Sequence, residues 1–386
     1  MTESIPLIST SEDLRELATE LGRGDWFALD TEFLRERTYW PDLCLVQVAS
    51  DDIVACIDPL ALDSLAPLHT LLHDPSITKV LHAAGQDLEI FHHLDGRVPA
   101  PVFDTQIAAP LLGFPEQAGF GKLVEAILDV RLAKGHARTD WTERPLPADA
   151  LAYAADDVRY LVPLYHHIRG ELERRGRLRW LDDEFERLAD PARYERPPTE
   201  AWQRLKGVDR LGGPSRAAAQ ALAEWREQAA RDANVPRGRI LKDDALIEIA
   251  RALPRDRREL GRIRAARGPG VDRHGNELLR LVAAGRERPA PEMARAPRAV
   301  ALDGRGEALV DALSALVGLS AAAGELNPAT VATRKELARI AGGEPVRTVV
   351  SGWRASLIAE ELEAFLAGRV RLQHGADGLE LVETHA

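Results

Sequence analysis

Cysteine is scarce in this chain, which has only Cys44 and Cys56 among its 386 residues. No C-x-x-C pair occurs, so the sequence supports neither a disulfide framework nor a cysteine zinc site, and we expect both thiols to be buried. Aromatic residues make up only 5% of the chain, whereas hydrophobic residues reach 45% and charged residues 29%. This composition excludes a wholly disordered or fibrous protein.

Long hydrophobic runs are also missing, because no uninterrupted stretch approaches the ~18 apolar residues of a membrane-spanning helix. The nearest stretch, from Ala308 to Gly324, is broken by Asp311. The N-terminal sequence MTESIPLIST is polar and acidic, whereas a signal peptide begins basic and continues apolar. We therefore expect a cytoplasmic protein without a membrane partner, and the sequence indicates no protein partner.

An overall positive charge, which would favour binding to nucleic acids, is absent, since the formal net charge is −11. The charge is unevenly distributed. Residues 210–288 contain 18 Lys and Arg against 11 Asp and Glu, a balance of +7, so the rest of the chain carries −18. Because local positive potential attracts phosphate backbones, this basic segment stays a candidate for nucleic-acid binding.

The length predicts two or three domains, at about 150 residues per domain. In residues 1–190, short apolar runs alternate with helical patterns, which predicts an α/β domain with a mixed sheet. Proline-containing stretches predict linkers at 191–209 and 289–300. Apolar residues at helical spacing predict two all-α bundles, one over 210–288 and one over 301–386.

The pattern of the first region also predicts individual elements. Residues 9–12 fit a capping box at the start of a helix that ends at about residue 21. Three strands follow this helix in quick succession, which suggests antiparallel pairing. We predict strands over 26–33, 43–49, 53–57 and 79–82, and helices over 65–72, 87–94, 105–112, 122–128 and 148–175.

Two carboxylates stand out on the first predicted strand. Asp30 and Glu32 are two positions apart, so both leave the same face of the sheet. Adjacent anions repel, and a fold tolerates them most readily when cations neutralise them; carboxylate oxygens suit Mg²⁺ or Mn²⁺ better than zinc. Asp87 lies at a predicted strand-to-helix junction, where the sites of open α/β sheets gather. It is therefore a candidate third ligand, and Asp104 competes for that role.

The last predicted helix of this region carries a tyrosine and a carboxylate one turn apart. Tyr153 and Asp157 share a helix face, although geometry leaves Asp156 open as the partner of Tyr153. Together with the earlier acids, these residues give the order Asp-x-Glu, Asp, Tyr-x3-Asp.

This order closely resembles the three motifs of the DEDD exonuclease superfamily, in its tyrosine-bearing branch. The flanking segments make residues 20–175 similar to the ribonuclease D family; they include DTEF (30–33), LHA (81–83), FDTQ (103–106) and RTDW (138–141). Residues 210–288 resemble an HRDC domain, a helical nucleic-acid-binding module, and residues 301–386 resemble one weakly. A helicase is disfavoured because the chain lacks a Walker motif.

The resemblance implies a ribonuclease H-like fold and a metal-dependent 3′-to-5′ exoribonuclease that releases nucleoside monophosphates, with tRNA precursors as substrates. It implies that Asp104 caps the helix near Thr105 and that Tyr153 orients or deprotonates the attacking water. A phenol with a pKa near 10 is a poor base at pH 7, so orientation is favoured. The implied ligands of two Mg²⁺ or Mn²⁺ ions are Asp30, Glu32, Asp87 and Asp157.

Further residues are candidates for RNA contact, because rings can stack on bases and cations can meet phosphates. The competing interpretation is core packing for each ring, an ion pair for each arginine, and a buried structural role for the histidine. These candidates are Phe33, Arg37, Tyr39, His82, Gln86, Arg138 and Trp141.

Two other functions are consistent with these residues. One is a 3′-to-5′ exonuclease that acts on DNA with the same chemistry, and the other is a non-catalytic RNA-binding protein on an exonuclease scaffold. The complete set of acids and Tyr153 disfavours the scaffold. The two helical modules favour RNA over DNA, although contacts to the 2′-hydroxyl, which distinguish the sugars, leave no pattern in the sequence.

Overall fold

The computed structural model describes residues 5–133, 139–293, 302–376 and 378–384. Its first part is built on a mixed sheet, as predicted, with strands β1 (Leu7–Ile8), β2 (Trp26–Leu34), β3 (Asp42–Ala49), β4 (Val54–Ile57), β5 (Thr78–Leu81) and β6 (Val102–Asp104). The spatial order is β1-β4-β3-β2-β5-β6. Strand β2 lies inside the sheet, antiparallel to β3 and parallel to β5.

Helices cover both faces of this sheet. They are α1 (Ser11–Leu21), α2 (Ala66–Leu72), α3 (Gly85–Asp95), α4 (Thr105–Ala108), α5 (Phe120–Leu128), α6 (Ala148–Arg159), α7 (Leu161–Arg174) and α8 (Asp182–Leu188), with 3₁₀ turns at Ala109–Leu112, Leu178–Leu181 and Pro191–Arg193. Alternate residues of β2 enter different cores: Phe27 and Leu29 pack with α1 and α3, whereas Ala28 packs with α7. This two-sided burial is what holds β2 in place.

Two predicted helices differ in detail from the structure. The cap of α1 is Thr10, which has extended backbone and accepts from the Asp13 N–H, so the predicted box at residues 9–12 is one position out. The predicted helix 148–175 is interrupted at Tyr160. Pro163 has no N–H to donate to the carbonyl of Arg159, which explains why the hydrogen-bond ladder breaks there.

A first helical module follows the α/β domain. It contains α9 (Gly213–Asp232), α10 (Arg237–Ile240), α11 (Asp243–Ala252), α12 (Arg257–Arg262) and α13 (Pro269–Glu287), with a 3₁₀ turn at Arg264–Ala266. The predicted linker 191–209 is not a free tether, because its 3₁₀ turns at Pro198–Arg204 and Val208–Arg210 place Trp202, Leu205 and Val208 in the core of this module. Prolines end the helices here, but the segment stays packed on the module because burial of these apolar side chains is favourable.

The final module contains α14 (Gly304–Ala323), α15 (Pro328–Val331), α16 (Arg334–Ala341), α17 (Val346–Val349) and α18 (Gly352–Leu366), followed by a hairpin of β7 (Val370–Gly375) and β8 (Gly378–Glu383). The prediction of an all-α stretch is therefore wrong at its end. Val370 and Leu372 are separated by Arg371 in the alternating pattern of β7, and Leu372 pairs with Leu381 across the hairpin. Most of the second predicted linker, from 294 to 300, lies outside the described residues.

The final module shares a hydrophobic core with the α/β domain. Trp180 stacks on Trp353 with ring centroids 4.7 Å apart and planes at 6°. Arg177 donates to the carbonyls of Leu111 and Gly324 and so joins the two units. These contacts make the final module a packed layer on the α/β domain.

Helix α14 is long and apolar enough, by length and composition, to cross a membrane. One face of it, with Val310, Leu313 and Val317, is buried in the core that the final module helps to form. On the outside, Asp311 pairs with Arg334 at 2.6 Å. We therefore interpret α14 as a packed helix of this module.

Candidate active site

Strand β2 presents its two carboxylates beyond the end of its neighbour β5. The pairing of β5 with β2 ends at Ala28, so Asp30 and Glu32 extend past β5, where the chain turns towards α3. The register with β3 shifts between Glu32 and Phe33. Such an irregularity bends a strand and redirects its side chains, and here it lies directly beside the acidic pair.

Asp87 enters the site from the first turn of α3 and is 7% exposed. The Thr31 hydroxyl donates to Asp87 Oδ1 at 2.5 Å, which fixes the carboxylate against β2. The turn before α3 includes Ala83 at φ +59°, a conformation that costs a non-glycine residue about 1–2 kcal/mol. Asp104 stabilises this turn, since its carboxylate accepts from the N–H groups of Ala83 at 3.0 Å and Ala84 at 2.9 Å.

Asp104 has a structural role, although its charge is near enough to Asp87 to contribute to the raised pKa of that carboxylate. It is 2% exposed and caps α4 by accepting from the Gln106 N–H at 2.8 Å. Its carboxylate thereby connects the end of β6 to the start of α3. The cap expected near Thr105 is thus present, and the same side chain also positions the helix that carries Asp87.

Helix α6 packs against β2, β3 and β4 and carries the tyrosine and the last carboxylate. Asp157 is half-buried and faces the other acids closely enough for its charge to raise the pKa values of Asp30 and Glu32. Asp156 instead forms an ion pair with Arg159 on the same helix. The structure therefore groups Asp157, and not Asp156, with the carboxylates of β2.

The electrostatics of this cluster disfavour four ionised carboxylates without a cation. Burial, and after it the charges of Asp87 and Asp157, raise the pKa of Asp30 well above its ordinary range. Burial also raises the pKa of Glu32 to about 8, and Asp157 and Asp87 add to this effect. Burial is the main reason why the pKa values of Asp87 and Asp157 rise to about 7.

The donor set fits divalent cations. Four carboxylates supply only oxygen ligands, which Mg²⁺ and Mn²⁺ prefer, and bound positive charge would relieve the repulsion that raises their pKa values. Within the described ranges, no three His, Cys, Asp or Glu side chains already form a finished coordination group.

Tyr153 lies beside this cluster and is half-buried. Burial raises the pKa of its phenol to about 12, and the charges of Asp157, Glu32 and Asp30 contribute to this shift. The hydroxyl therefore stays protonated at neutral pH, where it can position a ligand by hydrogen bonding.

Several further candidates lie in the core or at domain boundaries. Phe33 packs against the hydrophobic core on the α3 side of the sheet, and Trp141 is 4% exposed beneath α6. His82 forms a 3.0 Å contact from Nδ1 to the Thr105 hydroxyl, and burial lowers its pKa. Tyr39 contacts the first helical module: its hydroxyl donates to Glu227. These contacts favour structural roles over base stacking.

The remaining candidates are exposed or outside the described residues. Gln86 is exposed on the first turn of α3. Arg37 is exposed near Asp140, whose pKa is lowered by hydrogen bonds from Thr142 and further by the charge of Arg37. Arg138 lies outside the described residues.

Sequence reasoning missed the structural role of Arg144. Its guanidinium donates to both carboxylate oxygens of Asp58, at 2.7 and 2.8 Å, and to the carbonyls of Cys44 and Trp141, each at 2.8 Å. These bonds fix the loop that places Trp141 under α6. Thr31 was missed because it faces away from Asp30 and Glu32 on the strand, and its bond to Asp87 depends on tertiary structure.

Comparison with known protein families identifies two regions. Residues 5–173 match the family described as 3′-5′ exonuclease, and residues 215–282 match the HRDC domain. The first match contains all five residues of the predicted motifs. The second lies within the first helical module.

Full-length relatives extend this similarity to nearly the whole chain. The chain is 41% identical over 378 residues to ribonuclease D of Gluconacetobacter diazotrophicus, which covers 96% of this chain and 95% of the relative. It is 39% identical over 389 residues to ribonuclease D of Zymomonas mobilis, with 98% of each covered.

Solved structures show the same relationship. The crystal structure of Escherichia coli RNase D, described as an exoribonuclease involved in structured RNA processing, is 32% identical and superposes with a TM-score of 0.79 over 94% of this chain and 98% of that one. The catalytic core of RRP6 from Trypanosoma brucei is 25% identical, with a TM-score of 0.58 over 74% of this chain and 81% of that one.

Proposed function

Because the chain belongs to the ribonuclease D family and is thus a 3′-to-5′ exoribonuclease, we propose that it releases nucleoside monophosphates from RNA by two-metal-ion hydrolysis. We further propose tRNA precursors as its substrates and the cytoplasm as its location. The α/β domain has the ribonuclease H-like exonuclease fold, and the first helical module is an HRDC domain, as the resemblance implied.

The cluster of half-buried and buried carboxylates is the observation that supports metal-dependent hydrolysis. Asp30 and Glu32 from β2, Asp87 from α3 and Asp157 from α6 would hold the two ions. When bound, such ions activate water and stabilise the charge that develops on the leaving oxygen. The protein contributes the arrangement of the carboxylates, and Thr31 keeps Asp87 turned towards β2.

Tyr153 would act on the attacking water through its hydroxyl. With a pKa raised to about 12, the phenol keeps its proton at neutral pH and is a poor general base. It would therefore orient the water by hydrogen bonding, which is the role that the sequence favoured.

Structured RNA is the substrate class that the rest of the chain favours. A site of this kind contacts backbone and sugar, so it places little restriction on base sequence. The basic first helical module, with a balance of +7 over residues 210–288, would add affinity for the folded part of an RNA whose 3′ end is trimmed. The E. coli relative, described as processing structured RNA, supports this choice.

Labelled RNA and DNA of one sequence, each with Mg²⁺, Mn²⁺ or EDTA, test the proposed chemistry. We expect successive release of mononucleotides from the RNA 3′ end with either ion and none with EDTA. Hydrolysis that persists in EDTA would contradict the two-metal mechanism, and faster cleavage of DNA would contradict the substrate class. A tRNA precursor with a 3′ extension, compared with an unstructured RNA of equal length, tests the proposed substrate: equal rates would argue against it.

A further inference from the structure

A cleft of about 630 Å³ separates the α/β domain from the first helical module. The segment after β2 forms one wall with Arg35 and Trp40, and α3 adds Glu89. Arg231 of α9 is on the opposite wall. Tyr194 also lines the cleft, and it lies close enough to Glu89 and Asp87 for both charges to contribute to its raised pKa, so this part of the cleft reaches the Asp87 side of the candidate active site. None of the proposed catalytic residues lines it.

The cleft is more positive than the chain as a whole. Among the described lining residues, arginines outnumber glutamates by five to three. Arg35 binds Glu89 through two hydrogen bonds of 3.0 and 2.9 Å, which neutralises that acid. The arginines are Arg35, Arg196, Arg204, Arg231 and Arg237, and the glutamates are Glu89, Glu195 and Glu227.

The charge of Glu227, a residue that is only 1% exposed, is also largely neutralised. It accepts from the Tyr39 hydroxyl at 2.5 Å, and Arg204 and Arg237 lie 3.5 and 3.7 Å from its carboxylate. Such long pairs leave much of each guanidinium's hydrogen-bonding capacity for another anion. Positive groups between low-dielectric walls attract anions more strongly than the same groups on an open surface.

Planar rings accompany these cations. Trp40 and His93 are stacked, with ring centroids 3.9 Å apart and planes at 11°. The Arg231 guanidinium lies 5.5 Å from the centroids of the Trp40 and Tyr39 rings. His93 is exposed, so the stack ends in a ring that solvent can reach. Nucleobases stack on such rings with little dependence on sequence.

We propose that this cleft binds the single-stranded RNA that lies directly 5′ of the nucleotides in the active site. An enzyme that acts on 3′ ends must accommodate the rest of the strand on the 5′ side, and this cleft reaches Asp87 through Tyr194. Arg196, Arg204 and Arg237 would contact phosphates, and His93 would stack under a base. An acidic peptide would match the cations but not the rings, so the structure favours RNA. The proposal rests on the proposed RNA substrate but not on metal-dependent chemistry.

Binding measured without hydrolysis tests this cleft separately from catalysis. Fluorescence anisotropy of the full-length chain in EDTA, with a trinucleotide and a dodecamer of RNA, reports affinity as a function of salt. We expect Arg196→Ala and Arg237→Ala each to weaken dodecamer binding several-fold and to reduce the salt slope by ~0.7 per lost phosphate contact. Trinucleotide binding should not change. Arg280→Ala is the matched control, because Arg280 is exposed on the same module and pairs with Glu277.

Each outcome bears on the cleft. Unchanged dodecamer affinity and salt slope in both cleft variants, with the melting temperature preserved, would overturn the proposal, as would an equal loss for Arg280→Ala. An acidic peptide that displaces the dodecamer from the parent chain but not from Arg196→Ala would assign the cleft to a protein partner instead. If Arg237→Ala unfolds, Arg196→Glu gives the same readout from an exposed side chain. Unimpaired binding of RNA together with no hydrolysis in Mg²⁺ would contradict the proposed function, whereas the proposal that the cleft binds RNA would still be supported.

Discussion

Tyr39 and Glu227 are joined across the boundary between the α/β domain and the first helical module, by a 2.5 Å hydrogen bond from the Tyr39 hydroxyl to Glu227 Oε1. Asn234, just past the end of α9, accepts from the backbone N–H groups of Tyr39 at 3.1 Å and Trp40 at 3.2 Å. Arg231 donates to the same Tyr39 hydroxyl at 3.1 Å. The HRDC domain therefore holds the loop that directly follows the strand of Asp30 and Glu32.

Loss of the Tyr39 hydroxyl should loosen this loop. Tyr39→Phe keeps the ring but leaves the buried Glu227 carboxylate without its short bond, which typically costs about 1–3 kcal/mol of unfolding free energy. We expect lower stability and faster amide hydrogen exchange in residues 35–41. Tyr160→Phe is the control, since no described residue hydrogen-bonds its hydroxyl. Equal exchange in the parent chain and Tyr39→Phe would show that the contact does not hold the loop.

The stability of the metal-free chain should depend on pH through the carboxylate cluster. Glu32 has a pKa of about 8 in the folded chain against an ordinary 4.5, so the folded state binds more protons than the unfolded state between these values. Stability therefore falls as pH rises across this window. In EDTA, the melting temperature of the parent chain should decrease more between pH 5 and pH 8 than that of Glu32→Gln.

Divalent ions should reverse this loss, most strongly at the upper end of the window. Mg²⁺ or Mn²⁺ binds the ionised carboxylates of the folded state and stabilises it by mass action. The melting temperature should thus rise more with metal at pH 8 than at pH 5. Identical pH profiles for the parent chain and Glu32→Gln would show that ionisation of Glu32 does not destabilise the folded chain, contrary to its raised pKa.

Removal of the Tyr153 hydroxyl should affect rate rather than binding. Tyr153→Phe preserves the packing of the ring beside Asp157, so RNA affinity should change little while the rate falls by roughly 10²–10³-fold, as for the loss of one positioned hydrogen-bonding group. A rate close to that of the parent chain would make Tyr153 a packing residue.

Adjacent carboxylates on α6 offer a matched pair of variants. Asp157→Asn removes one of the proposed metal ligands and should abolish hydrolysis, whereas Asp156→Asn removes only the partner of Arg159 and should be mild. Both substitutions keep side-chain size and helix position. Metal-dependent activity measured on the same RNA distinguishes them, and the reverse ranking would show that Asp156 is the ligand.

Local patterns were sufficient to predict much of the α/β domain, whereas the grouping of its acids came from the resemblance to the DEDD superfamily. Strand periodicity and the spacing of Asp30 and Glu32 follow directly from backbone geometry, and the helical repeat relates Tyr153 to Asp157. The contact of Tyr39 could not be predicted, because its partner Glu227 lies in another domain. For the same reason, the sequence left Tyr39 open between base stacking and core packing, and neither alternative included its contact with the HRDC domain.

The linker at 191–209 shows a second limit of sequence reasoning. Prolines predict where helices end, but they do not show whether the chain then leaves the surface or packs into a core, as Trp202 does. The final hairpin was missed because short alternating segments give a weaker signal than the helices that precede them. A predicted linker before the final module likewise did not reveal that this module shares its core with the α/β domain.

The α/β domain and the final module should unfold together, because they share one hydrophobic core. A chain shortened to residues 1–293 would lose the partner of Trp180, and a stacked aromatic pair contributes about 0.5–1.5 kcal/mol beyond its buried area. We expect this chain to melt at a lower temperature and to bind an apolar dye more strongly.

A single substitution tests the same contact in the full-length chain. Trp353→Ala should lower the melting temperature of the α/β domain, and hydrogen exchange in β2 measures this loss of stability. Arg371→Ala, on the exposed hairpin, should cause no such loss. An unchanged β2 in Trp353→Ala, together with separate transitions in calorimetry, would show that the two units fold independently despite their contact.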